Sequence, residues 1–375
     1  MPEPEADYGC CDRLAGSAGT ACAARAARRR LLKAAVFQHQ LDARSAAHAR
    51  PGGEHSPVAT GSSPSGAGAR GAQAAGTLAS AGFPDASQLP RAVAGTILDV
   101  SPQVLVIGDE GGEQRFILSA DAGAWRGGSL EPAGLRPGDH AVIRLQPGQR
   151  DVADRVWANI GRVTGTIIEH SRDGLIVDEG ATRRRQVVVI PPRAAGRIQV
   201  RFPTLQPGYL VDVIGLRRGA ELEGLVPATS QPAYPVGRVP VSPLVSGHVP
   251  ETISGSATWH EDADEAPGVL GIAYPELDPE TRCAEYAAAG RTRGYARLPY
   301  LAIGSAIGIR NDCSGRSCVL PVIGCAAVAR LFNDRCVTCG TSPRGRIADL
   351  TLASFVALGG ELERGCFNAR IRIGR

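Results

Sequence analysis

The last third of the chain contains two notable stretches, Arg330-Leu-Phe-Asn-Asp-Arg-Cys-Val-Thr-Cys-Gly340 and Gly345-Arg-Ile-Ala-Asp-Leu350. The first carries Asp334 and the second carries Asp349. Each aspartate follows a short apolar or β-favouring run, so we expect both at a strand end or in the turn after it. Residues 350–358 have apolar side chains on one side and predict a short helix behind Asp349. These two stretches contain a higher density of potentially reactive side chains than the rest of the sequence, and they define the candidate site.

Composition excludes several classes of protein. The 375 residues leave room for two or three domains, and a net charge of +4 favours no particular partner. Aromatic residues make up only 5% of the chain, too few to interleave with the arginines as stacking platforms, so we do not expect nucleic-acid binding. No stretch approaches the roughly 20 consecutive apolar residues of a membrane-crossing helix.

Residues 1–90 are rich in Ala, Gly, Ser, Pro and Arg, and this composition predicts a disordered, low-complexity tail. Within it, Arg28-Arg-Arg-Leu-Leu-Lys33 resembles a twin-arginine export signal. The apolar run behind it, Ala34 to Phe37, is shorter than the roughly 7–15 residues that a signal sequence needs. The alternatives are a disordered basic segment, or a native start downstream with non-native sequence before about Ser80.

An internal repeat with an offset of seventy residues organises the middle of the chain. Gly95-Thr-Ile-Leu98 matches Gly165-Thr-Ile-Ile168, and Leu135-Arg-Pro-Gly138 matches Leu205-Gln-Pro-Gly208. Short β-rich runs separated by Gly, Pro and Asp surround both copies. In each Pro-Gly turn, Pro presets φ and Gly accepts positive φ.

The repeat predicts two tandem small β modules, residues 91–162 and 163–235, similar to OB-fold or SH3-like barrels. They would either bind a polymer or protein partner, or serve as scaffolding. Residues 236–254 are rich in Pro, Val, Ser and Gly and predict an extended linker. The third domain then covers residues 255–375.

Five stretches of the third domain resemble the double-psi β-barrel family of rare lipoprotein A, expansins and barwin-like proteins. They are Ser256-Ala-Thr-Trp259, Gly304-Ser-Ala-Ile-Gly-Ile309, Leu331-Phe-Asn-Asp-Arg335, Gly345-Arg-Ile-Ala-Asp-Leu350 and Ala369-Arg-Ile-Arg-Ile373. The resemblance implies a mainly β chain that ends in a six-stranded double-psi β-barrel. It also implies a cell-wall glycan partner, without metal or cofactor, and either lytic transglycosylase activity on peptidoglycan or polysaccharide binding alone.

By the same resemblance, Asp334 and Asp349 are the catalytic candidates. One carboxylic acid could protonate the glycosidic oxygen and then take the proton of the substrate's own attacking hydroxyl. It would need a raised pKa, from burial or from a second carboxylate. The alternatives are that Asp334 accepts hydrogen bonds from turn N–H groups and that Asp349 caps the helix behind it.

Three further residues are candidates for binding. Arg335 would contact glycan or carboxylate, or else be a rim charge, and Trp259 would be a sugar platform, or else a core aromatic. Tyr295 stands, with Ala296, where active members of the family carry a histidine before Leu-Pro, so catalysis would be altered or lost. The choice therefore stays open between an enzyme, a non-catalytic wall-binding module, and a structural protein whose β modules dock partners.

Seven of the ten cysteines lie between Cys283 and Cys366. Such density predicts disulfides, and hence a secreted or cell-envelope protein. Two alternatives remain: Cys313, Cys318, Cys336 and Cys339 have nearly the spacing of a zinc ribbon, and the last two could form a redox-active pair.

Overall fold

The computed structural model describes most of the chain beyond residue 88 and part of the segment before it. The described residues are 24, 27–28, 30–40, 42, 89–109, 111–172, 174–180, 185–238, 252–261, 268–275, 299, 301–326, 329 and 345–373. They are mainly β and form three small closed barrels that follow one another along the chain. The predicted fold class is confirmed at this level.

The first barrel contains strands β1 (Arg91–Val100), β2 (Val104–Asp109), β3 (Gly112–Trp125), β4 (Ser129–Leu130), β5 (His140–Leu145) and β6 (Val152–Ala158). Five of them close in the order β1-β5-β6-β3-β2, while β4 extends the edge of β3. All pairings are antiparallel except the one between β3 and β6. The interior is a separate apolar core that includes Ile97, Leu105, Phe116 and Ile143.

The second barrel repeats this arrangement with β7 (Ile160–Ser171), β8 (Gly174–Asp178), β9 (Gln186–Val189), β10 (Leu210–Arg218) and β11 (Glu221–Pro227). Its order is β7-β10-β11-β9-β8, again with the third and fifth strands parallel. Both barrels therefore close in the same strand order, each with one parallel pairing. A helix, α2 (Pro192–Arg201), joins the third and fourth strands, where the first barrel has only β4 and a 3-10 turn, Pro132–Gly134.

The repeated glycines have the same physical role in both copies. A Cβ on Gly95 would lie 2.8 Å from the carbonyl oxygen of Gly108, and a Cβ on Gly165 would collide with the carbonyl oxygen of Asp178. Only glycine lets the first and second strands approach so closely. In the Pro-Gly turns, Gly138 and Gly208 have φ of 88° and 89°. The glycines repeated in the sequence are therefore the residues that the same backbone geometry requires in both barrels.

The third barrel contains β12 (Thr252–His260), β13 (Ile272–Tyr274), β14 (Ala306–Asn311), β15 (Ser317–Cys325), β16 (Arg346–Thr351) and β17 (Cys366–Ile373). They close in the order β12-β16-β13-β15-β14-β17. Two pairs are parallel, β12 with β16 and β13 with β15. If β12, β13 and β14 are exchanged with β15, β16 and β17, respectively, the same set of parallel and antiparallel pairings results. The barrel therefore consists of two interleaved halves of three strands each.

The helix behind Asp349, α3 (Leu352–Ala357), begins two residues later than predicted. Thr351 caps it, and the Thr351 hydroxyl accepts a hydrogen bond from the backbone N–H of Ser354. The hydroxyl also donates to the carbonyl oxygen of Val269, at 2.7 Å. This double role ties the end of β16 to the segment that leads into β13.

Residues 30–40 form a helix, α1, where the composition predicts disorder. The structure differs because this segment finds a partner: Leu32 packs against the apolar core, and Gln40 binds the backbone of Leu270. The amide of Gln40 donates to the Leu270 carbonyl oxygen at 2.5 Å, and its oxygen accepts from the Leu270 N–H at 3.0 Å. Burial of one helical face thus offsets the ordering entropy.

None of the helices within the described residues combines the length and the hydropathy that would let it cross a membrane.

Replacing Gln40 should loosen the contact between α1 and the third barrel. In Gln40→Ala, the N–H of Leu270 loses its acceptor, so we expect its hydrogen exchange, followed by NMR, to accelerate about tenfold. Gln38→Ala is the matched control, since Gln38 is exposed and its amide donates to Asp42, close by in sequence, rather than to the third barrel. Equal exchange rates in both variants would show that α1 is not held at Leu270.

Candidate functional site

Asp349 lies inside strand β16, between two strands of the third barrel. It is paired with Thr258 of β12 and with Ala273 of β13. The hydroxyl of Thr258 donates a hydrogen bond to Asp349 Oδ1 at 2.8 Å, and His260 Nδ1 lies 3.7 Å from Oδ2. Thr258 and His260 are buried, whereas the Asp349 side chain is 13% exposed. The carboxylate is therefore the accessible member of the cluster.

This arrangement suits a group that exchanges a proton with a bound molecule. A hydroxyl donor orients one carboxylate oxygen, and an imidazole faces the other. Because Thr258 is buried in the barrel wall, its hydrogen bond holds the carboxylate in one orientation from within the barrel. We call Asp349, Thr258 and His260 the carboxylate cluster.

Sequence analysis missed Thr258 and His260, although a signal for them was present. Alternate residues of a strand point to the same face, so Thr258 and His260 share one side of β12. Their partner on β16 could not be found this way, because nothing in the sequence specifies that these distant strands pair in parallel. The alternative role of Asp349 as a helix cap was wrong, since Thr351 caps α3.

The remaining candidates have different outcomes. Asp334, Arg335 and Tyr295 lie outside the described residues, and their roles stay predictions. Trp259 as a sugar platform was wrong: the residue is 1% exposed, and its indole N–H donates to the carbonyl oxygen of Leu362 at 3.0 Å. Strand alternation turns it away from the carboxylate cluster and into the core, as the alternative interpretation held.

A buried ionic network lies directly behind the carboxylate cluster. It joins Arg162 and Asp212 of the second barrel to Arg346 of the third, and we call these three residues the arginine–aspartate lock. Arg162 donates to both oxygens of Asp212, at 2.8 and 2.7 Å, and Arg346 Nη2 lies 2.5 Å from Oδ2. All three side chains are at most 2% exposed.

Arg162 of the lock also forms hydrogen bonds with backbone atoms next to the carboxylate cluster. Arg162 Nη1 donates to the carbonyl oxygens of Trp259 and Gly365, at 2.9 and 2.7 Å. Its guanidinium carbon lies 5.7 Å from the centroid of the Trp259 ring. Two residues after Trp259, Glu261 accepts from Arg217 Nη2 at 2.5 Å and from the backbone N–H of Arg162 at 3.1 Å. The second barrel thus holds both ends of the Trp259–Glu261 segment.

Within the lock, Asp212 and the arginines each stabilise the charged form of the other. Burial alone would raise the pKa of Asp212, but the charges and hydrogen bonds of Arg162 and Arg346 outweigh it and hold that pKa well below its usual range. Burial would likewise lower the pKa of Arg162, yet Asp212 raises it, and Asp349 contributes to the same effect. The guanidinium of Arg162 thus interacts electrostatically with Asp349 as well as with Asp212.

The first barrel meets the third at a second set of ion pairs. Glu361 and Glu363, at the 3-10 turn before β17, contact Arg144 and Arg155 of the first barrel. The indole N–H of Trp157 donates to Glu363 Oε2 at 2.6 Å. These groups are partly exposed, so salt and water screen them more than they screen the lock.

The predicted disulfides find no support among the cysteines that the structure describes. Cys313, Cys318, Cys325 and Cys366 form no disulfide with one another. Burial raises the pKa of the Cys318 thiol to about 12, which keeps it protonated and unreactive. Cys283, Cys336 and Cys339 lie outside the described residues. Cys336 and Cys339 are two of the four cysteines with zinc-ribbon spacing, so that hypothesis also falls largely outside the described residues. Within the described ranges, no three His, Cys, Asp or Glu side chains are grouped closely enough to hold a metal ion.

Burial should control the reactivity of these thiols. We expect iodoacetamide at pH 8 to label Cys313, which is exposed, while Cys318 stays unlabelled until the protein is unfolded in guanidinium chloride. Peptide mass mapping after labelling distinguishes the two sites. Rapid labelling of Cys318 in the native protein would contradict its burial in β15.

Comparisons with known proteins do not add to this geometry. A scan of protein-family models gives no match to the chain, and a search of curated proteins gives no significant match.

Removing the anion of the lock should be strongly destabilising. In Asp212→Asn, two buried guanidinium groups lose their counter-charge, so we expect the free energy of unfolding to fall by about 3–5 kcal/mol. Asp154→Asn is the control, because the Asp154 side chain, which pairs with Arg144, is 26% exposed. This substitution should lower the free energy of unfolding by less than about 1 kcal/mol. Urea unfolding measures both.

The same variant should change the response to acid. The folded-state pKa of Asp212 lies below its unfolded value of about 3.9. Its contribution is therefore fully present above that value and is lost as the pH falls towards the folded pKa. Between about pH 5 and pH 2, the parent protein should lose more stability than Asp212→Asn does. Parallel stability curves for the two proteins would contradict an ionised Asp212.

Proposed function

We propose that the protein binds a cell-wall polysaccharide, such as peptidoglycan, through its third barrel, and that Asp349 is the acid/base of a lytic transglycosylase reaction there. The observation that carries the proposal is the carboxylate cluster, in which Thr258 hydrogen-bonds a partly exposed carboxylate and His260 Nδ1 lies 3.7 Å from its other oxygen. The proposal also places the protein in the cell envelope or outside the cell, where such a polymer occurs.

The topology of the third barrel supports the proposal. Two parallel strand pairs and an exchange of halves that preserves every pairing are what a double-psi barrel requires. The resemblance of five sequence stretches to rare lipoprotein A and expansins implies the same barrel. It also implies a functional role for the aspartate of the Gly345-Arg-Ile-Ala-Asp-Leu350 stretch, the residue around which the cluster is built.

The proposed reaction uses one carboxyl group twice. The proton of Asp349 passes to the glycosidic oxygen as the bond from that oxygen to the anomeric carbon breaks. A hydroxyl of the same sugar then forms a new bond to the anomeric carbon, and its proton returns to Asp349. The carboxyl group is regenerated, and the step consumes neither water nor a cofactor. Thr258 keeps Oδ1 occupied, so that Oδ2 carries the proton.

Binding without cleavage is the second candidate, and the lock favours it. Asp349 stabilises the charged form of Arg162, and such an interaction is mutual, so the buried guanidinium stabilises the Asp349 carboxylate. An ionised carboxylate accepts hydrogen bonds from sugar hydroxyls but cannot start the reaction as an acid. The two candidates therefore differ in the protonation state of one residue.

Release of soluble fragments from purified peptidoglycan tests the proposal. We expect Asp349→Asn to reduce release at least a hundredfold, because general acid–base catalysis contributes about that much, and Thr258→Val to reduce it about tenfold. Both variants should still sediment with the polymer. Asp121→Asn, which alters an exposed carboxylate of the first barrel, should act like the parent.

Other outcomes separate the remaining hypotheses. Release by Asp349→Asn at the parental rate would disprove its role as the acid. Sedimentation of the parent without any release would leave the second candidate. If the parent neither sediments with the polymer nor releases fragments, the glycan proposal fails and the barrels are left with a role in docking protein partners.

A further inference from the structure

One helix of the second barrel presents a row of exposed arginines. Arg193, Arg197 and Arg201 of α2 are four residues apart and therefore lie on one side of the helix, about 6 Å apart along its axis. Ala194 and Ile198, each one position after an arginine, are buried on the adjoining side of α2. We call the three arginines, together with Arg218 at the end of β10, the basic face.

Carboxylates of the second barrel neutralise only part of the basic face. Glu223 binds both Arg193 and Arg218, and their charges and hydrogen bonds outweigh its burial and lower its pKa. Even so, the side chains of Arg193 and Arg218 remain 65% and 67% exposed. Within the described residues, no carboxylate forms an ion pair with Arg197 or Arg201. The face keeps donors that a ligand can reach.

Comparison with the first barrel shows that the fold does not require this face. Both barrels have the same strand order, yet residues 91–158 contain seven arginines and nine acidic residues, a net charge of −2. Residues 160–238 contain eleven arginines and seven acidic residues, a net charge of +4. The helix with its arginines is present only in the second copy. The first barrel is thus an internal control for what folding alone demands.

We propose that the basic face binds an anionic polysaccharide, a polymer whose sugars carry carboxylates at regular intervals. A row of three cations matches a ligand with recurring charges better than a single small anion. The inference deepens the proposed function and rests on it, because it names an acidic glycan as the polymer that the second barrel holds beside the third.

Two other polyanions fit the face less well. Single-stranded nucleic acid requires aromatic side chains on which bases stack, and none of the large exposed apolar residues in the described part of the chain is aromatic. A membrane surface requires a continuous apolar side that inserts between lipids. The only large exposed apolar side chain on α2 is Val200.

Sedimentation of the full-length protein with polygalacturonate beads tests the inference. The test variant is Arg193→Gln/Arg197→Gln/Arg201→Gln, and Arg115→Gln/Arg136→Gln/Arg150→Gln is the matched control with the same loss of charge from exposed sites of the first barrel. We expect the test variant to bind at least tenfold more weakly and the control less than twofold more weakly. The dependence of binding on salt should also become shallower in the test variant alone.

A neutral polymer and two other polyanions complete the test. Polygalacturonate with methyl-esterified carboxylates should bind at least tenfold more weakly than the acid form. The inference is overturned by equal losses in both variants, by equal binding of the esterified polymer, or by tighter binding to single-stranded DNA or phosphatidylserine vesicles. Circular dichroism and the thermal midpoint show whether the test variant is folded, and Arg193→Lys/Arg197→Lys/Arg201→Lys, which keeps the charge, should restore binding.

The inference and the proposed function can fail separately. Fragment release that depends on Asp349, without any effect of the arginine substitutions, leaves the proposed function and overturns the inference. If the protein binds the acid polymer in a charge-dependent way but neither cleaves nor sediments with peptidoglycan, the proposed function is overturned. The assignment of the basic face to an acidic glycan would remain.

Discussion

The position of the third barrel depends on one buried carboxylate, Asp212. It lies between two barrels and accepts hydrogen bonds from Arg162, Arg346, Thr164 and Thr229. An isolated charge at this depth would be strongly unfavourable, and complete pairing of both oxygens makes its burial possible. Because Arg162 also binds the backbone of β12, and Arg346 belongs to β16, the same network holds the two strands that carry the carboxylate cluster. Buried apolar residues of the second and third barrels also belong to one continuous core, which reaches into the first.

The two repeated barrels use one architecture for different contacts. The first presents Arg144 and Arg155 to the glutamates at the turn before β17, where the ion pairs stay partly exposed. The second buries Arg162 and Asp212 and places its exposed arginines on a helix that the first copy lacks. The two copies share the glycines and the turns that close a barrel, whereas their surfaces differ in charge. Strand order alone therefore says little about what each copy binds.

The chemistry of Asp349 belongs to both barrels. Thr258 hydrogen-bonds its carboxylate from within the third barrel, and the guanidinium of Arg162 acts on it from the second. A catalytic acid requires a proton that such a charge tends to remove, while a binding carboxylate benefits from it. In the proposed function, the balance between these two effects would decide between cleavage and binding.

Local features were readable from the sequence, while features that depend on distant contacts were not. The sequence by itself determined the mainly β class, the two repeated barrels and the late helix, because close-approach glycines such as Gly95 and Gly165, Pro-Gly turns and apolar spacing act within a few residues. Only the tertiary structure decided that α1 packs on a barrel, that Trp259 is buried, and that Thr258 and His260 meet Asp349. It also decided that the described cysteines form no disulfide with one another. These outcomes depend on strand register and on contacts between barrels, and a parallel pairing of strands some ninety residues apart leaves no local pattern.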